Sequence, residues 1–205
     1  MLKLASQSLA VALGAIVLAA CSPKAPSPDS TQANVATSTA APGDSAKPAD
    51  TGMAGMPGMA NMTGDPDHDF LRMMTDHHKG LILMAHQTKE SSQQLSTKPL
   101  ATRLDKEQDE ELDKMMSMLE KDYKDAYAPK VMPAHAKMAE DLQGKTGGDY
   151  DRTFMQDVIT HHQEAIKMID DYLPRAKNPT LKAMAEEMKA TQTQEITELQ
   201  KKVAS

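Results

Sequence analysis

From Asp65 onward, apolar side chains recur at spacings of three and four. Phe70, Met74, His77, Leu81 and Met84 fall on one helical face. Asp65-Pro66 gives this segment a start, a capping carboxylate followed by a proline at the first helical position. A second stripe, Leu104, Gln108, Glu111, Met115 and Met118, predicts a helix opening near Pro99. Phe154, Val158, His161, Ala165 and Met168 predict a third from about Asp149, ended by Pro174. Asn178-Pro179 opens a fourth, with Ala185, Met188, Gln192, Glu195 and Leu199 on its stripe. Between the second and third, residues 124–148 form a long connection, with a short helix expected after Pro133.

The third and fourth segments repeat the first and second. A constant offset of 84 residues relates Phe70 to Phe154, His77-His78 to His161-His162, Met84 to Met168, Gln108 to Gln192 and Glu111 to Glu195. One shift without a gap points to a duplicated helical hairpin. A single hairpin leaves its apolar stripe in water, and two together close a four-helix bundle. The predicted class is therefore all-α, a four-helix bundle over residues 65–205, with repeats at about 65–123 and 149–205.

Composition restricts what such a bundle can be. Aromatics make up 3% of the 205 residues and Trp is absent, while Met numbers 17, so the core must be aliphatic and Met-filled. A net charge of -6 argues against a nucleic-acid partner. One Cys excludes an internal disulfide and any multi-Cys metal site.

That Cys, Cys21, has a reading of its own. Residues 1–20 carry Lys3, then an apolar run from Leu9 to Leu18, then small residues, the pattern of an export signal. "LAAC" resembles a bacterial lipobox, with Cys21 as the lipidated mature N-terminus. The expectation is a lipid-anchored protein of the cell envelope, in the outer membrane and facing the periplasm. Multiple acyl chains give stable anchoring. Residues 21–64 are rich in Ser, Thr, Ala, Pro, Gly and Asp and read as a disordered tether.

Polar residues sit on the stripes near helix midpoints: His77, Glu111, His161 and Glu195, with His78 and His162 beside them. Buried His and Glu must be paired or coordinated. Three readings fit: a structural His–Glu network, a carboxylate site for iron or manganese, or a copper site. Iron or manganese bundles use Glu-x-x-His on two helices. Here Lys114 and Glu198 stand where those His residues would be. Copper suits imidazole, and thioether selects Cu(I). Met73 and Met74 precede His77 and His78 by four residues and share their helix face. "MPAHAKM" adds Met132, His135 and Met138 at spacings of three, and His68 and His86 flank the first helix.

Met53, Met56, Met59 and Met62 lie three apart in "GMAGMPGMANM", among Gly and Pro, where core packing gives no reason for them. A run of thioethers can close around a soft ion at any pH, so Cu(I) is the favoured ligand.

"DFLRMMTDHHKGLILMAH" and "GGDYDRTFMQDVITHHQEAIKM", each followed by a Gln–Glu stretch ("QDEEL", "QTQEI"), resemble the two halves of the domain-of-unknown-function 305 family. The resemblance covers about residues 65–205. It implies a ferritin-like four-helix bundle, export and copper binding. The chain departs from the family pattern at Thr75-Asp76 and Ile159-Thr160, before the His pairs, and at Gly80 and Glu164, after them. The function expected is copper sequestration or hand-off without catalysis, to a copper-handling partner or within a homo-oligomer. A ferritin-like metal oxidase and a metal-free envelope adapter are the alternatives.

Overall fold

The computed structural model describes residues 62–91 and 93–205, and the expectations for the leader, Cys21, the tether, Met53, Met56 and Met59 fall outside them. The described residues form helices α1 (Pro66–Glu90), α2 (Lys98–Tyr123), α3 (Pro133–Gln143), α4 (Gly147–Tyr172) and α5 (Pro179–Val203). A single 3-10 turn, Leu173–Arg175, follows α4 and contains the expected stop, Pro174. None of these helices is long and apolar enough to cross a membrane.

The caps are those the sequence signals. The Asp65 carboxylate accepts from the backbone N–H groups of Asp67 and His68, and the Asn178 side chain from Thr180 and Leu181. Each satisfies donors that the first helical turn leaves without partners.

α1 pairs with α2 and α4 with α5, and the two hairpins meet through α1 and α4. These central helices run antiparallel. Asp67, at the start of α1, takes a hydrogen bond from the Tyr172 hydroxyl at the end of α4, and Thr88, at the end of α1, bonds the Tyr150 hydroxyl at the start of α4. The short α3 packs on both α1 and α4. Asp76, one of the departures from the family pattern, ties down the segment leading to α3. It accepts from the Tyr127 hydroxyl at 2.8 Å and the Lys130 N–H at 2.7 Å.

The apolar core is divided in two. One cluster holds Phe70, Met74, Met115, Met168, Ile169, Tyr172 and Met188. The other holds Leu81, Met84, Leu104, Leu142, Phe154, Val158 and Leu199. Residues 84 apart, such as Phe70 and Phe154, or Met84 and Met168, go to opposite clusters. The repeats are therefore related by an approximate twofold that exchanges the ends of the bundle. The buried polar residues of all four stripes lie at its centre, between the clusters.

Candidate metal centre

His77 and His161 occupy the repeat-equivalent central positions of α1 and α4. Their ring centroids are 3.7 Å apart. Into this pair α3 inserts a third imidazole, His135, with centroids 4.9 Å from His77 and 4.7 Å from His161. All three are buried, and one ring nitrogen from each can be chosen so that the three lie within 4.8 Å of one another. Three donors around one ion sit about 3.3–3.6 Å apart at metal–nitrogen distances near 2.0–2.1 Å. Small ring rotations would close the set.

The hydrogen bonds decide which nitrogens carry lone pairs. His161 Nε2 donates to the carbonyl oxygen of His77 at 2.9 Å, and His135 Nε2 donates to Glu164 Oε2 at 2.9 Å. In a neutral ring the other nitrogen is then an acceptor. Nδ1 of His135, Nδ1 of His161 and both nitrogens of His77 are buried without a hydrogen-bond partner. Burial, and then the neighbouring His135 and His77 respectively, holds His77 and His161 well below the ordinary histidine range. Both rings are thus neutral, the state that ligates metal.

Around this triad stands a second, twofold-related layer. His78 donates to Glu111 Oε2 and His162 to Glu195 Oε2, each at 2.8 Å. The two predicted carboxylates therefore serve the second histidine of each pair rather than His77 and His161. Glu195 also pairs with Arg103. Burial alone would raise the Glu195 carboxyl, but the bonds from His162 and Arg103 outweigh it and lower it. Gln108 and Gln192 complete the layer, buried, each with an unpartnered side-chain oxygen.

Two residues that the sequence reading set aside as departures hold α3 in place. Gly80 lies against His135, and a Cβ there would fall under 3.0 Å from Nδ1, Cγ and Cβ of that ring. Its repeat equivalent, Glu164, supplies the carboxylate that His135 bonds. The same position carries no side chain in one repeat and a charge in the other. Their unlike identities at an offset of 84 were the available signal.

The other expected ligands do not join the triad. Met74 is core filler, while Met73 packs at the edge of one apolar cluster and Met138 at the edge of the other. Met132 is half-buried at the N-cap of α3, and Met62 is exposed. His68 bonds Asp125 at 2.8 Å and stacks on Tyr123, with centroids 4.3 Å apart. His86 is exposed.

A family described as "Domain of unknown function (DUF305)" matches residues 24–119 and 67–203. No curated protein matches the chain. Among solved structures, a DUF305 fragment from Deinococcus radiodurans is similar over 68% of this chain and 95% of its own, with TM-score 0.59 and 25% identity. CopM in the Cu(II)-bound form is similar over 67% and 95%, with TM-score 0.57 and 24% identity. CopM in the Cu(I)-bound form gives 66% and 93%, with 0.56 and 24%. At that identity the likeness to CopM is one of fold.

Proposed function

We propose that this chain, which belongs to the DUF305 family, binds copper at His77, His135 and His161 and buffers it or hands it on at the cell envelope. The observation that carries the reading is a buried cluster of three imidazoles, each with a ring nitrogen that has no hydrogen-bond partner. A network built for stability alone would satisfy its buried acceptors, since each one left bare costs about 1–3 kcal/mol. Imidazole donors suit copper in both oxidation states. The fold shared with a protein seen with both Cu(I) and Cu(II) bound supports that choice. A two-metal iron or manganese oxidase is built on several bridging carboxylates, and here Glu111 and Glu195 are engaged by His78 and His162.

The leader and the "LAAC" sequence support an anchor at Cys21 and a periplasm-facing outer-membrane location. Without a nucleophile–base pair or a cofactor motif, binding rather than catalysis is the proposed role. Competition titration of the mature protein with Cu(II) and with Cu(I) tests the reading. Changing His77 and His161 together to Ala should remove one bound copper per chain. Unchanged stoichiometry and affinity would overturn it.

A further inference from the structure

Among the described residues Glu164 is the one carboxylate bonded to the three-histidine cluster, and it differs from the histidines in facing water. Its side chain is 42% exposed, against 1% for His77 and His135. Glu164 Oε2 lies 2.9 Å from His135 Nε2 and 3.7 Å from His77 Nε2. Nε2 of His135 carries the proton of its hydrogen bond to Glu164, whereas Nε2 of His77 has no hydrogen-bond partner, and its 3.7 Å from the carboxylate is close to the roughly 3.3 Å that separates two donors on one tetrahedral ion. Glu164 and His77 are therefore spaced as one edge of a ligand set, with the carboxylate held in place by the His135 N–H.

We propose that Glu164 is the fourth, solvent-facing ligand of this site. The inference rests on the three-histidine reading above and adds an oxygen donor to it. Charge argues in the same direction. Imidazole donors carry no negative charge, so three of them leave the whole charge of an entering ion uncompensated in a buried cluster, and a buried unpaired charge is very costly. Glu164 supplies one negative charge without itself being buried. The burden is heavier for Cu(II) than for Cu(I), and a carboxylate oxygen suits the harder ion. Glu164 is thus the residue that lets the site hold the oxidised ion, and an arriving ion meets it first.

The helix needs no side chain at this position. At the equivalent position of α1, Gly80 carries no side chain, and the helix continues through it. Position 164 faces the same cluster from the opposite helix and carries a carboxylate.

The test uses the mature protein and its Glu164→Gln and Glu164→Ala variants, with copper alone as probe. Glutamine keeps an acceptor for His135 and removes only the charge and the anionic donor. Expected for Glu164→Gln is a Cu(II) affinity at least tenfold lower, a changed Cu(II) electron paramagnetic resonance hyperfine pattern, and a Cu(I) affinity within about threefold of the parent; Glu164→Ala, which also removes the acceptor for His135, should lose at least as much Cu(II) affinity. Equal losses for Cu(I) and Cu(II) with an unchanged resonance pattern would make Glu164 a residue that only positions His135, and would overturn the proposal. So would an unchanged Cu(II) affinity in Glu164→Gln. If the parent binds no copper through His77 and His161, the three-histidine reading itself fails, which the double histidine variant reports separately. Circular dichroism melts of the metal-free variants confirm that each is folded.

Discussion

Asp67 and Asp151, 84 residues apart, each grip the connection of the other hairpin. Asp67 on α1 accepts from the Tyr172 hydroxyl at 2.6 Å and from the backbone N–H groups of Lys177 and Asn178 at 3.0 and 2.8 Å, all at the α4–α5 connection. Asp151 on α4 accepts from the backbone and hydroxyl of Ser96 and of Thr97, at the α1–α2 connection, with distances from 2.5 to 3.1 Å. The reciprocal pair fixes how one hairpin sits on the other, and so how His77 meets His161.

Asp67→Ala should lower the unfolding free energy by about 3 kcal/mol, because it strands a buried hydroxyl and two backbone donors. Asp151→Ala should cost a similar amount. The two residues lie at opposite ends of the antiparallel α1–α4 pair, so the double variant should be additive. Burial alone would raise the Asp151 carboxyl, but the bonds from Thr97 and Ser96 outweigh it and lower it below the ordinary range. A depressed carboxyl stabilises above its unfolded value of about 3.9 and loses that contribution as pH falls through its folded value. Denaturant unfolding of parent and Asp151→Ala should therefore converge on acidification below about pH 4.

Gly80→Ala runs against the usual sign. In an open helix this change stabilises by roughly 1 kcal/mol. Here the new Cβ meets the base of the His135 ring rather than a flexible tip. Overpacking of this kind costs about 1–3 kcal/mol, and relief requires α3 to move. The variant should melt at a lower temperature and lose copper affinity. Unaltered stability would mean that His135 does not dock on Gly80.

The elements and the twofold were legible because they depend on local periodicity. Every residue of the α1 and α4 stripes named from the sequence is buried. The caps at Asp65 and Asn178 are the ones predicted. What the sequence left open is the rotation of each helix about its own axis. A shift of a few tens of degrees decides whether Glu111 meets His77 or His78, and spacing along α2 cannot choose. His135 was read within a Met-His-Met triplet because its true neighbours come from α1 and α4. Docking of α3 depends on a missing side chain at Gly80 and a charge at Glu164, and neither has a periodic signature.

The metal-free protein should lose stability as the pH falls below about 6.5, the unfolded histidine value. His77 and His161 have folded values well below this, from burial and from the histidines around them. Below 6.5 the unfolded chain takes up protons that the folded one refuses, so acid favours unfolding. Burial pushes the Asp157 carboxyl up to about 6, but it is common to the parent and the histidine variant, so the difference between their melts isolates the two histidines. Thermal melts of His77→Gln/His161→Gln should be flatter than the parent between about pH 6.5 and 5. Parallel curves would mean that these rings titrate as ordinary surface histidines. Bound copper should hold the rings deprotonated and oppose the acid loss in the parent, by an amount that grows with ligand excess.

Cys21→Ala should release the protein from the membrane fraction, if the "LAAC" sequence directs lipidation. Cell fractionation and the mass of the processed N-terminus measure this. A variant that stays membrane-bound and is processed as before would remove the anchor from the proposal.

The Met run makes the last separable prediction, because its donors and those of the triad differ in kind. Met53, Met56, Met59 and Met62 offer only thioethers, which select Cu(I), whereas the triad offers imidazoles, which accept either oxidation state. Met62, the one of the four among the described residues, is exposed, so the run's last member contributes nothing to the core. Replacing all four by Leu keeps volume and apolarity nearly constant. The melting temperature of the metal-free protein should not change, and Cu(II) binding should stay as in the parent. The number of Cu(I) ions bound under reducing conditions should fall. Combining the fourfold Leu variant with His77→Ala/His161→Ala should remove both classes of site additively, if they bind independently. A fourfold variant with the parent's Cu(I) stoichiometry and affinity would assign all soft-metal binding to the bundle, and would remove the thioethers from the copper-handling role.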